Sequence, residues 1–222
     1  MARVAVVTGG TGGLGTAVTG KLLREGWQVV VPWVNESELE RLPKADGLTL
    51  VQADLFDPQG AASVVAHAGE PLKALVNLVG GFAMGGRVHE TPVEDFEAQL
   101  RLNLRPGYLM AQAAVPRIIA AGGGAVINVS SQSIRRPFAG AAGYLTAKTA
   151  VLAFTDALHA EYAKDKVRVN AILPSVIDTP ANRESQPDAN WSSWTSPESI
   201  ADTIAFLCDD ASAAIRGSHI NV

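Results

Sequence analysis

The order of elements predicts an α/β fold with one doubly wound parallel sheet. Three observations carry that expectation. Short β-branched runs alternate with helical patterns, which is the signature of successive βαβ units. A glycine-rich turn separates the first strand from the first helix. No internal repeat, long linker or low-complexity tract interrupts the chain, so residues 1–222 read as a single domain.

The strand candidates, in order, are Arg3–Val7, Gln28–Trp33, Leu48–Gln52, Ala74–Leu78, Ala125–Ser130, Val167–Leu173 and His219–Val222. Helices are expected to start near Gly13, Glu36, Pro58, Val93, Gly107, Gly143 and Pro197. Pro197 fits a first helical position, because its missing N–H would have no intrahelical partner there, and Ser196 is a suitable N-cap. Gly122-Gly123-Gly124 stops one helix and permits left-handed backbone before the next strand. Pro106 cannot donate to the Leu102 carbonyl and Gly107 weakens the following turn, so a distorted helix is expected beside Asn103, with carbonyls free to hold water. Residues 179–195 form a long polar loop with Pro180, Pro187, Trp191 and Trp194. It reads either as a lid or as a loop anchored by its two indoles.

Bulk composition narrows the function. The chain has 222 residues, enough for a substantial core. Its net charge of −4 argues against a nucleic-acid binder, which usually presents a basic face. Cys208 is the sole cysteine and follows apolar Phe206-Leu207, so a buried, unreactive thiol in a reducing compartment is expected. His67, His89, His159 and His219 lack metal-ligand spacing. No apolar run approaches membrane-spanning length, and Met1-Ala2-Arg3 leads straight into a strand without a signal-peptide pattern. A cytoplasmic protein without metal, membrane or nucleic-acid partners is expected.

The turn itself is Thr8-Gly9-Gly10-Thr11-Gly12-Gly13-Leu14-Gly15, between an apolar strand and a helix. Glycines there let backbone amides approach a phosphate at the positive end of a helix. Far downstream, Tyr144 and Lys148 stand one turn apart and face the same way on a helix. Free tyrosine has a pKa of about 10, and a neighbouring ammonium favours the phenolate. Such a pair suits acid–base work.

The Thr-Gly-x-x-x-Gly-x-Gly spacing and the Tyr-x-x-x-Lys pair together resemble the short-chain dehydrogenase/reductase family, over nearly the whole chain. The resemblance implies a Rossmann fold and NAD(P)-dependent hydride transfer between nicotinamide and a carbonyl/alcohol substrate. It implies catalytic roles for Asn103 in a proton relay, Ser131 on the substrate oxygen, Tyr144 as acid/base and Lys148 as its tuner and a nicotinamide-ribose ligand. Ser130 competes with Ser131. On the cofactor it implies Gly9, Thr11, Gly13, Leu14 and Gly15 in the turn, Trp33 at the end of strand two, and Asp54 and Leu55 near the adenine. Asn77, Gly80, Pro174, Ile177 and Thr179 complete that set, with Thr179 on the carboxamide. For Asp54, a helix N-cap is the alternative reading.

Three departures from the family pattern stand out. Asn77-Leu78-Val79-Gly80 has apolar residues at its middle pair. Pro174-Ser175 replaces Pro-Gly. Trp33 occupies the place where an aspartate would favour NAD, and no cation replaces it, so the expectation leans only weakly to NAD(H) over NADP(H). Gly80-Gly81-Phe82 and the segment from Asp178 to Thr195 look like quinoid dihydropteridine reductase, a branch of the family. Ser131 counts against that branch, so pterin reduction is the alternative to carbonyl reduction. A catalytically silent dinucleotide-binding regulator is the rival from another class. Apolar residues on several faces of 104–119, and in the helix after Tyr144, lead to an expected homodimer or homotetramer.

Overall fold

The computed structural model describes residues 3–222; the leader-free start read at Met1 and Ala2 lies outside the described residues. One seven-stranded sheet organises the molecule. Its strands are β1 (Val4–Thr8), β2 (Gln28–Trp33), β3 (Leu48–Gln52), β4 (Leu72–Asn77), β5 (Gly124–Val129), β6 (Val167–Leu173) and β7 (His219–Asn221). They are all parallel, in the order β3-β2-β1-β4-β5-β6-β7. The helices are α1 (Gly13–Arg24), α2 (Pro58–Ala66), α3 (Val93–Ala120), α4 (Ala142–Tyr162), α5 (Pro180–Ser185) and α6 (Pro197–Cys208). This is the expected doubly wound α/β fold. The strand order reverses between β1 and β4, and in such sheets that point opens a crevice beyond the strand carboxyl ends.

Period-two alternation explains the two layers. Val4 and Val6 face one side, with Val64, Met110, Ile118 and Leu158. Ala5 and Val7 face the other, with Val18, Leu22, Ile200 and Ile204. A strand buried on both faces favours a continuous apolar run, and this made β1 legible from sequence; β6 is equally buried but carries Arg168 and Asn170 among its apolar residues.

Several boundaries differ from expectation. No second helix begins at Gly107, because α3 runs unbroken through Pro106 and Pro116. A mid-helix proline costs about 3 kcal/mol. Against it, α3 buries Leu109, Met110, Val115 and Ile118 on the sheet, each contributing roughly 1.5–3 kcal/mol. Packing therefore outweighs propensity. The segment after β2 is only a 3-10 stretch, Glu36–Arg41, capped by Asn35 and without buried residues to extend it. Residues 179–195 are not an irregular loop throughout: Pro180–Ser185 is helical and Trp191–Ser193 is a 3-10 turn.

Local expectations at Ser196, at Gly122-Gly123 and at Cys208 are met. Ser196 accepts from Ser199 N at the start of α6. Gly122 and Gly123 take φ values of +83° and +104°. Cys208 is buried in the core and its thiol is pushed up to about 12 by burial. Among the described residues, no helix is long and apolar enough to cross a membrane and no His/Cys/Asp/Glu cluster could hold a metal ion.

Candidate active site

The glycine turn joins β1 to α1 at the reversal point. Its glycines are sterically required where the backbone folds on itself. A Cβ on Gly15 would lie 2.0 Å from the Gly9 carbonyl oxygen, and one on Gly13 would lie 2.8 Å from Thr179 Cγ2. Gly9 takes a positive φ of +64°. No side chain caps α1 at Gly12, whereas Asp57, Thr179 and Ser196 cap α2, α5 and α6. The first-turn amides of α1, around Leu14, are thus open to an anion. This cradle fits a dinucleotide pyrophosphate.

Across the crevice, α4 carries Tyr144 and Lys148. The buried Lys148 Nζ donates to the Val129 carbonyl at 3.1 Å and lies 5.9 Å from the Tyr144 ring centroid. Burial lowers its pKa from 10.5 to about 8. Tyr144 departs from the expected lowering. Desolvation raises its pKa, while hydrogen bonds with the Ser131 and Ser133 hydroxyls pull the other way. Burial wins because the ammonium is turned toward Val129 rather than onto the phenol.

Ser131 and Ser130 separate cleanly. Ser130 is buried and its hydroxyl donates to the Lys148 carbonyl at 2.7 Å, tying β5 to α4. Ser131 stands beside Tyr144. Its hydroxyl shares a 2.8 Å bond with Ser133 Oγ and accepts from Ser133 N at 3.2 Å. Ser133 escaped the sequence reading, although a second hydroxyl two residues after Ser131 was visible there.

Asn103 does more than sit near a proline. Its Nδ2 donates to the Gly81 carbonyl at 3.0 Å and to the Gln99 carbonyl at 3.1 Å, and its Oδ1 accepts from Gly81 N at 3.1 Å. This clamps the loop after β4 onto α3. Gly80 is tightly placed between Asn103 and Lys148: a Cβ there would lie 2.7 Å from Asn103 Oδ1 and 3.0 Å from Lys148 Nζ. Behind Asn103 lies a cavity of about 10 Å³ lined by Thr8, Asn77, Asn128 and Gly107 among others, close to the volume one water fills. Asn77 Nδ2 donates to Asn128 Oδ1 at 2.9 Å, and Asn128 Nδ2 to Thr155 Oγ1 at 2.9 Å. Asn77 thus joins a polar line through the core.

The remaining residues fall around the crevice rim. Asp54 Oδ1 accepts from Phe56 N at 2.8 Å, closing a turn. Its alternative reading as a helix N-cap is corrected, since Asp57 holds that place on α2. Leu55 is buried beside it. Trp33 is half-buried at the end of β2. Thr179 packs on the glycine turn and its hydroxyl accepts from Asn182 N. The Ile177 carbonyl accepts from Thr179 N and Asn182 Nδ2, while the Pro174 carbonyl accepts from Gln132 N. One contact was not anticipated: Thr11 Oγ1 donates to Glu38 Oε2 at 2.6 Å. The acid lies beyond the strand end, where the sequence pattern is that of a capped helix.

Over Tyr144, the Phe82 ring stands edge-to-face at 4.9 Å, with Phe138 6.2 Å from Phe82. Phe82, Met84 and Phe138 are all exposed. The 179–195 segment packs on itself. Arg183 lies 4.7 Å over the Trp191 ring, Trp191 stands 6.4 Å from Trp194, and Trp191 Nε1 donates to the Gln186 carbonyl. Neither indole is fully buried.

A carboxyl-edge crevice with an anion cradle, a buried lysine and a paired phenol and hydroxyl suits proton transfer next to a bound dinucleotide. Comparison with known proteins gives the same class. The chain is 30% identical to 2-(R)-hydroxypropyl-CoM dehydrogenase of Xanthobacter autotrophicus, covering 99% of this chain and 96% of that protein. It is 31% identical to 4-formylbenzenesulfonate dehydrogenase of Comamonas testosteroni, covering 99% and 96%. A solved 3-ketoacyl-(acyl-carrier-protein) reductase from Brucella melitensis, complexed with NADH, superposes with a TM-score of 0.89 at 26% identity, over 99% of this chain and 96% of that one. The model of the short chain dehydrogenase family matches residues 3–190, and the chain belongs to that family of NAD(P)-dependent oxidoreductases.

Proposed function

We propose that this chain interconverts a carbonyl and an alcohol on a small molecule, with Tyr144 as the acid/base. The observation that supports this reading most is the Tyr144 phenol beside the Ser131 hydroxyl, on the same crevice as the uncapped glycine turn. A nicotinamide dinucleotide held by Gly9, Thr11, Gly13, Leu14 and Gly15 would supply or accept the hydride. Trp33, Asp54, Leu55, Asn77, Gly80, Pro174, Ile177 and Thr179 would line its path, and Lys148 would hold its ribose.

In the reductive direction Tyr144 donates its proton to the substrate oxygen. A phenol is protonated at neutral pH at its ordinary pKa, as a general acid requires, and burial pushes Tyr144 further in that direction. Ser131 orients the same oxygen. Lys148 keeps a positive charge within reach of the phenolate that forms. Asn103 fixes the Gly80-Gly81 backbone beside Lys148, and the small cavity behind it belongs to the resupply of the proton. The exposed rings of Phe82 and Phe138 favour a substrate with a flat or apolar group beside the carbonyl.

One observation favours pterin reduction, namely Phe82 edge-to-face with Tyr144 in a Gly-Gly-Phe run. The relatives weigh against it, being named for a hydroxypropyl and a formyl compound. Ser131→Ala separates the readings. Carbonyl turnover should fall roughly 10²-fold or more, as for other lost oxyanion donors. An unchanged rate, or activity only with a quinonoid pterin, would contradict the carbonyl reading.

We also propose a homodimer or homotetramer formed through α3 and α4. The apolar surplus there is smaller than the sequence implied. Leu109, Val115, Ile118, Val151 and Leu158 are buried within the chain, leaving Tyr108 exposed with its ring 5.7 Å from Phe154. Sedimentation at micromolar concentration should give twice or four times the chain mass; a monomer would refute this.

A further inference from the structure

We propose that Glu38 is the residue that selects NAD(H) over NADP(H), in place of an acid at the end of β2. The inference rests on the dinucleotide reading above. The strand end offers no carboxylate: Trp33 stands there, Val34 points into solvent, and the Asn35 side chain is committed to Ser37, accepting from its N–H at 3.1 Å and its hydroxyl at 2.9 Å. The first turn of the 3-10 segment instead sends Glu38 back across the crevice to the glycine turn. Its Oε2 accepts from the buried Thr11 hydroxyl at 2.6 Å. Its Oε1 lies 3.6 Å from Arg41 Nη1, beyond a normal hydrogen bond, and its side chain remains 32% exposed.

These contacts leave the carboxylate with acceptor capacity on the crevice side. An ionised carboxylate has about four lone-pair sites, and Thr11 occupies one. A ribose diol brings two O–H donors, which match what remains. A 2′-phosphate brings roughly 1.5 to 2 negative charges and only acceptors at neutral pH. It would face a carboxylate that Thr11 holds in place. Arg41, the cation recorded beside Glu38, offsets that charge only through a loose, largely exposed 3.6 Å contact. Thr11 has one hydroxyl proton, and Glu38 has taken it. An acid some twenty residues past a glycine turn commonly meets the ribose hydroxyls. Here that task passes to a residue outside the strand, anchored by the turn itself.

Fluorescence titration of NADH and NADPH against the wild-type protein and Glu38→Gln tests this, without any substrate. Gln keeps an acceptor for Thr11 and removes the charge. The wild type should bind NADH roughly 10²-fold more tightly than NADPH, in line with an exposed like-charge contact. Glu38→Gln should shrink that ratio at least tenfold, by weakening NADH and strengthening NADPH, with little change in Tm. An unmoved ratio, or a wild type that prefers NADPH, would overturn the assignment while leaving the dinucleotide site intact. Equal weakening of both cofactors would make Glu38 only a prop for Thr11, and would also overturn it. Failure of the wild type to bind either dinucleotide would remove the underlying reading and the inference together.

Discussion

Tyr144→Phe is expected to reduce kcat by about 10²- to 10⁴-fold, the usual contribution of a positioned acid or base. Cofactor affinity should change little, because the ring and its edge-to-face contact with Phe82 survive. The phenol OH is the lone group removed, and it is flanked by Ser131 and Ser133, which cannot replace it as acids near neutral pH. Steady-state kinetics with a fluorescence Kd for the dinucleotide checks both halves. A variant that keeps more than a tenth of kcat has lost under about 1.4 kcal/mol of barrier stabilisation, too little for the proton donor.

Gly15→Ala should strike the dinucleotide site. A Cβ at Gly15 would stand 2.0 Å from the Gly9 oxygen and 2.6 Å from Gly10 Cα. Both are backbone atoms, so the turn itself must move. Overpacking of this kind costs about 1–3 kcal/mol, and each 1.4 kcal/mol is roughly tenfold in affinity. We expect dinucleotide binding to weaken about 10- to 10²-fold. Gly124→Ala is the control. Its Cβ would press equally on backbone, 2.2 Å from the Lys73 carbonyl oxygen, but at the start of β5, away from the crevice. It should lower Tm by a few degrees and leave the Kd of the folded fraction unchanged. Equal dinucleotide affinity in Gly15→Ala and wild type would mean the turn does not hold the pyrophosphate.

Much of the fold was legible because the sheet is buried on both faces. Val4–Val7 has no polar interruption that would blur a strand, and Val167–Leu173 keeps a β-branched, apolar pattern around Arg168 and Asn170. The Tyr144–Lys148 spacing was legible because helical geometry fixes an i, i+4 pair. What escaped depends on long-range packing. Pro106 read as a break, yet sheet burial carries α3 through it. Tyr144 read as a phenol of lowered pKa, but the direction depends on burial and on where Lys148 Nζ points. Asn103 read as a proton-relay residue beside a distorted helix; that its side chain also clasps a loop some twenty residues upstream was not legible. The Glu38 contact crosses from the segment after β2 to the turn after β1, a pairing no local pattern encodes.

Isotope transfer tests the central claim most directly. NADH carrying deuterium at nicotinamide C4, on either face, would be incubated with the protein and a panel of aldehydes, ketones and a quinonoid pterin. Mass spectrometry would then locate the label. The account predicts one deuterium on the carbinol carbon of at least one alcohol product, from one face only, and its disappearance with Tyr144→Phe. Tight dinucleotide binding with no label in any product and no NADH oxidation would contradict it and leave a silent dinucleotide-binding protein; NADH oxidation with the quinonoid pterin alone, whose product gains only exchangeable N–H, would move the chain to the pterin-reducing branch.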